Sequence, residues 1–407
     1  MRVLLLAALF AIPGLGQVPE EPGNVNSKYI VEAVVVLPES AGKRLGSGIQ
    51  SDIDAMVGQK FDPAAADRLR TRIGEQLHRK VEKSLERGDK PDHVKVVYSA
   101  PRVFDVDADV NKLAYHSKHG WTGGLQAPFE AGPLTLRVGV QSDLDTLLER
   151  YAGYTLGVSV DAGERVRARV DFGSFHNQWN ATTLRALETR PDLPGIYRER
   201  YIVSPNVAIA LTRALVLTAG VDIQQFQTQF PAARFEASNA LTTTLRYRRR
   251  WSSNASRQEV DAGYGLRAAT KSLDSDYAYA RHAVAAEYNA EVGHSTVSVE
   301  FRAGRLGGTA PLFDRYTLGD SRTLRGWSKF DVAPVGGTRV AYGSLEYWYR
   351  WLGLFYDTGA VWDSKEDRGV KHSAGVAVGG SEGMFLAIAF PIRSGSVTPM
   401  FILGMNY

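Results

Sequence analysis

The sequence predicts a mainly β protein, a closed antiparallel transmembrane barrel preceded by one small α+β domain. Three observations predict it. The chain opens with an export-signal pattern, then mixes helical and strand rhythm for about 75 residues, and from about Lys112 to Tyr407 alternates apolar and polar residues with a period of two.

The opening stretch, MRVLLLAALFAIPGLGQ, places Arg2 before an apolar run from Val3 to Ile12, then Pro13 and small residues near Gly16. This is a secretory signal over residues 1–17, too short to cross a bilayer as a helix, and no later stretch is apolar for long enough to do so. The 407 residues carry 48 basic and 44 acidic side chains, a net charge of +4 and no cysteine. That excludes a disulfide scaffold and a thiolate metal site, and the interspersed charge predicts no nucleic-acid partner.

The first domain is expected over residues 28–100. YIVEAVVVL reads as a strand. Ile49, Ile53, Met56 and Val57, then Leu69, Ile73 and Leu77, fall at helical spacing, with Asp62 and Pro63 placed as N-cap and first-turn residue. KVEKSLE and HVKVVYSA follow as two strands joined by RGDKPD, giving the order strand, helix, helix, strand, strand.

Residues 111–407 form the barrel. In RVRARVDFG, Val166, Ala168, Val170 and Phe172 oppose Arg165, Arg167, Arg169 and Asp171. In YGSLEYWYRW, Leu345, Tyr347, Tyr349 and Trp351 oppose Ser344, Glu346, Trp348 and Arg350. Many strands run about nine to fourteen residues, the length a tilted strand needs to cross a membrane, whereas soluble sandwiches use about five or six. Tyr151, Trp179, Tyr201, Trp251, Trp351 and Trp362 gather toward strand ends, where an interfacial girdle would sit. Lipid offers no partner to an open sheet edge, so the sheet must close. One weak strand within 112–127, ten between 134 and 305, including one at 178–188, and five beginning near 338, 352, 370, 383 and 397 sum to about 16 strands. Without the two least regular segments the count is 14.

One stretch breaks the alternation: LGDSRTLRGWSKFDVAPVGG, residues 318–337. Its Leu324-Arg325-Gly326-Trp327, then Gly336-Gly337, Glu346 and Asp357-Thr358-Gly359-Ala360-Val361-Trp362, resemble the C-terminal part of the BamA-like outer-membrane assembly and two-partner-secretion transporter superfamily, the bacterial surface antigen family. The resemblance implies a long loop entering the barrel from outside, five strands after it, and one periplasmic POTRA domain before the barrel. It also implies a role in inserting outer-membrane proteins or translocating polypeptides, with Arg325 needed for it. The partners it implies are unfolded or extended clients, outer-membrane lipid, and accessory lipoproteins or periplasmic chaperones. Two departures stand out: there is room for a single POTRA-like domain, and the C-terminal recognition residue Tyr407 has Met405 two places before it instead of an aromatic.

In a polar lumen, Arg325 is expected to meet Glu346 and Asp357, both on the inward parity of their strands, through its planar fork. Gly326 would allow close backbone approach or positive φ, and Trp327 would wedge apolar area beside the pair. Catalytic, cofactor-binding and metal residues are expected to be absent. The eight histidines have no ligand spacing, His116 with His119 reads as an incidental pair, and GGSEG at 379–383 is a strand connection without the helix a nucleophile elbow needs. A passive porin-like channel and a structural surface antigen remain as alternatives.

Overall fold

The computed structural model describes residues 29–406, apart from 38, 43–44, 78–80, 101–109, 132–133, 144, 164, 230–232, 254–255, 365–368, 380–382 and 396. The expected export signal over residues 1–17 and Tyr407 therefore lie outside the described residues. The chain divides into two compact units, Met1–Arg102 and Val103–Tyr407.

The first unit is a three-stranded sheet with helices on it. Its elements are β1 (Ile30–Leu37), α1 (Glu39–Gly42), α2 (Ser47–Met56), α3 (Pro63–Leu77), β2 (Glu82–Arg87) and β3 (His93–Ser99). The sheet order is β1-β3-β2, with β1 parallel and β2 antiparallel to β3. The helical spacing of Ile49 and Ile53 on α2 and of Ala66, Leu69 and Ile73 on α3 presents one apolar stripe to Val31, Val94, Val96 and Tyr98. Asp62 accepts from the Ala64 N–H at 2.9 Å, and Tyr98 donates to the Ala66 carbonyl at 2.9 Å, tying helix to sheet.

The second unit is a closed barrel of sixteen antiparallel wall positions. Its strands are β4 (Val110–His116), β5 (Gly120–Ala131), β6 (Leu134–Ser142), β7 (Arg150–Ala162), β8 (Val166–Gln178), β9 (Tyr197–Ala210), β10 (Leu215–Thr228), β11 (Arg234–Ala237), β12 (Ala240–Ser252), β13 (Ser256–Ala269), β14 (Ala278–Val292), β15 (Ser295–Thr309), β16 (Arg339–Tyr349), β17 (Leu352–Trp362), β18 (Lys371–Gly379), β19 (Gly383–Ile392) and β20 (Met400–Asn406). β11 and β12 pair successive parts of β10 and together occupy one position. Apolar side chains such as Leu345, Tyr347, Leu354, Val376 and Leu386 stand exposed outside, as a lipid-facing wall requires. Connections at one end hold two to four residues, whereas those at the other hold between three and 29.

Two expected strands are corrected. Residues 178–188 are no strand: they hold α4 (Ala181–Glu188), where Asn180 caps the Thr182 N–H at 2.8 Å and Thr183 and Leu187 are buried one helical turn apart. The weak strand at 112–127 is instead the pair β4 and β5, folded at Gly120, whose φ of +79° suits the turn. The two corrections cancel, so the wall still counts sixteen. The aromatic girdle is also thinner than expected. Tyr201, Trp251 and Trp351 face outward, but Tyr151 is 7% exposed against Phe175, and Trp179 packs edge-on to Tyr197.

The ladders are uneven. β14 and β15 pair along all 15 residues of each, whereas β20 meets β4 only through Ile402 with His116, Leu403 with Tyr115 and Gly404 with Ala114.

Candidate functional site

Residues 310–338, between β15 and β16, turn back into the barrel and are almost wholly buried. Leu312, Phe313, Leu318, Leu324, Trp327 and Val335 of this plug pack against Tyr197, Phe226, Val340, Tyr342 and Val361 of the wall. Burying each large apolar side chain contributes roughly 1.5–3 kcal/mol, so packing holds the loop in and the polar contacts fix where its tip sits.

The tip is Leu324-Arg325-Gly326-Trp327. Leu324 takes φ +50°, unusual for a branched residue, and its carbonyl accepts from the Trp327 N–H at 2.9 Å to close the turn. Arg325 then projects at the wall. Its Nε and Nη2 donate to Asp357 Oδ2 and Oδ1 at 3.0 and 2.9 Å, its backbone N–H to Asp357 Oδ2 at 3.0 Å, and its Nη1 to Glu346 Oε2 at 2.6 Å. The guanidinium lies 3.6 Å from the Phe355 ring centroid, a desolvated cation–π contact. Burial alone would lower the Arg325 pKa, but the Asp357 and Glu346 charges outweigh it and raise it. Ser344 donates to Asp357 Oδ1 at 2.7 Å and Trp348 to Glu346 Oε1 at 2.5 Å, so each carboxylate is also held by a side chain of the wall.

Close approach, not positive φ, is what position 326 requires. A Cβ there would stand 2.7 Å from Ser373 Cβ and 2.8 Å from the Phe390 and Pro391 backbones. Trp327 donates Nε1 to the His372 carbonyl at 2.8 Å, with Lys371 Nζ 4.8 Å over its ring.

A second anchor has no counterpart in the sequence reading. Lys329 is 1% exposed, and its Nζ lies 2.9 Å from Asp145 Oδ1 and donates to the Leu147 carbonyl at 2.5 Å. Asp145 also accepts from the Ser321 N–H at 3.0 Å and meets His119 Nδ1 at 3.0 Å, while His119 Nε2 lies 3.0 Å from Ser328 Oγ. Burial would raise the Asp145 pKa, but the His119 bond and the Lys329 charge hold it well below the usual carboxylate range. His119 thus has two polar partners, and its ring stacks on that of His116 with centroids 4.3 Å apart. Asp-Leu-Asp in the β6–β7 connection was the available signal, since acidic residues tolerate left-handed backbone, and Asp145 has φ +60°.

At the plug base, Asp314 accepts from Tyr279 and from Arg267 Nε at 3.1 Å, and Arg315 Nη2 donates to Asp363 Oδ2 at 2.7 Å. Among the described residues no group of three or more His, Cys, Asp or Glu could hold a metal.

Residues 80–394 match the Omp85 superfamily domain. No curated protein matches the chain. Among solved structures it is similar to BamA from Haemophilus ducreyi lacking POTRA domains 1-3, at 14% identity and TM-score 0.59, over 93% of this chain and 85% of that one. It is also similar to CdiB from Acinetobacter baumannii, at 9% identity and TM-score 0.54, over 94% and 74% of the two chains. CdiB from Escherichia coli follows at 10% identity and TM-score 0.50, over 93% and 76%. At these identities the likeness is one of fold.

Proposed function

The chain belongs to the Omp85 superfamily, and we propose that it is an outer-membrane barrel that inserts outer-membrane proteins or translocates polypeptides, with no catalytic step. The observation that carries this reading is the plug. A lumen plugged by apolar packing at its long-connection end and tied off by Arg325 with Asp357 and Glu346 does not suit a passive porin, which needs a standing aqueous path. It does serve a barrel that opens only when a client engages it.

In this reading residues 1–17 direct export, and the first unit is a periplasmic POTRA-like domain that captures an extended client by adding it as a strand to a sheet edge. The barrel then threads the client or parts between β4 and β20. The short β20–β4 ladder favours parting, because few backbone hydrogen bonds must break.

Two measurements test this. Depleting the protein should remove a definable set of outer-membrane or surface proteins, and an unchanged set would refute the reading. A disulfide between Ala114→Cys and Gly404→Cys, which are register partners, should block activity until reduced. Full activity with the bond closed would leave only the lumen route.

A further inference from the structure

β12 carries four arginines, and one of them faces out. Arg246 donates Nε to Asp261 at 2.9 Å, and Arg248 and Arg250 donate theirs to the two oxygens of Glu259 at 2.7 Å each, so the three that face the lumen are paired. Arg249 alternates instead with Leu245, Tyr247 and Trp251, which stand exposed on the lipid-facing side, and it is exposed with them. Among the described residues no hydrogen bond, ion pair or ring contact reaches its guanidinium.

No acid is placed to compensate it. The outward positions around Arg249 are Tyr247 and Trp251 on its own strand, Leu215 on β10, and Gln258, Val260 and Ala262 on β13. The β12–β13 connection, Ser-Asn-Ala, adds none. Arg249 lies three residues from the end of β12, roughly 10 Å along a tilted strand and one lipid-facing row inside Trp251. A cation at that depth sits where hydrocarbon meets head groups. Its aliphatic stem stays in oil, and a lipid phosphate is the anion its head can reach.

The wall beside it suits the rest of a lipid. Trp251 Nε1 and Tyr288 Oη both donate to Gln258 Oε1, at 3.1 and 3.0 Å, which fixes that amide and leaves its nitrogen to donate elsewhere. Arg249, Val260 and Tyr288 form one row across β12, β13 and β14, so Val260 is a low point between a cation and an aromatic ring. In the next row toward the middle of the barrel, Ala262 and Ala286 stand side by side between Tyr247 and Phe301. Two methyls between two rings make a shallow trough, two strands wide, in which an acyl chain can lie.

We propose that Arg249 and the Gln258 amide bind the phosphate of one membrane phospholipid over Val260, with an acyl chain lying along the Ala262–Ala286 trough. The site goes beyond the proposed function, and only the leaflet it faces, the periplasmic one, rests on the orientation in that reading.

The test is native mass spectrometry of the folded full-length chain in a non-ionic detergent, titrated with phosphatidylglycerol and with the diacylglycerol of the same chains, which lacks the phosphate. Wild type should hold one phosphatidylglycerol about tenfold or more tighter than the diacylglycerol. Arg249→Gln should erase that difference, and Arg249→Lys should keep most of it. Arg248→Gln removes the same charge one residue away on the lumen face and should change nothing. Ala262→Trp fills the trough but keeps the cation, so it should weaken both lipids, and it gives a second reading should Arg249→Gln fail to fold. Equal affinity of wild type for the two lipids, or an undiminished preference in Arg249→Gln, overturns the site. An equal loss in Arg248→Gln would reduce the effect to net charge and overturn it as well. No client enters this titration, so failure of the site and failure of the proposed function are separable.

Discussion

Removing the Arg325 side chain would strand Asp357, which is 0% exposed, without its counter-charge. Breaking one side of a buried pair costs about 3–5 kcal/mol, so Arg325→Ala should leave the barrel folded while lowering the opening free energy of the plug tip by that order. Hydrogen exchange over residues 318–332 reads this directly, and unchanged protection would show that packing alone holds the tip. Arg325→Lys should recover only part of the loss, because an ammonium cannot fork to Asp357 while reaching Glu346. Gly326→Ala keeps every charge but drives a methyl against the Ser373 side chain of β18 and the backbone of β19, and should loosen the same segment by about 1–3 kcal/mol. At this scale the sequence was informative. Strand parity put Glu346 and Asp357 on the inner face, and family resemblance singled out Arg325. Lys329 with Asp145 escaped notice because their pairing joins distant loops and leaves no periodic trace.

The plug and the β4–β5 turn act as connected elements. Ser117 donates its N–H to the Phe401 carbonyl at 2.9 Å and accepts from the Phe401 N–H at 3.1 Å, while His119, two residues on, reaches Asp145 and Ser328. One short turn therefore touches both the closing strand and the plug. The connection should respond to acid in two stages. Burial raises the Asp320 pKa, as does the nearby Asp145 charge, and burial raises that of Asp143. Raised carboxylates oppose folding at neutral pH and are relieved by protonation as pH falls. Asp145 is depressed, so its contribution is full above the unfolded value of about 3.9 and is lost as pH falls through its lower folded value. Protease resistance of residues 318–332 should thus hold or rise from pH 7 to 5 and fall only below about pH 4. A steady decline beginning at pH 6 would contradict this assignment.

Across the whole molecule, period-two alternation made the barrel legible, because each strand must face lipid on one side and a polar interior on the other. Less legible were stretches where another rule competes. QWNATTLRALE alternates loosely enough for a strand, but its Asn cap and buried Thr183 and Leu187 favour a helix once the segment lies in a connection. The turn that splits β4 from β5 was hidden because Gly120 sits among residues that alternate on both sides. Tyr151 and Trp179 had the right position for a girdle and the wrong face.

The connections are sorted by length, and an even strand count returns the start of β4 and the end of β20 to the same rim. Insertions are therefore one-sided, and in the proposed orientation so is what an antibody can see. An epitope tag placed within residues 271–275 should be stained on intact cells, whereas one placed at residues 293–294 should be stained only after permeabilisation. In the orientation proposed above, whatever recognises this protein from outside meets only the long-connection rim.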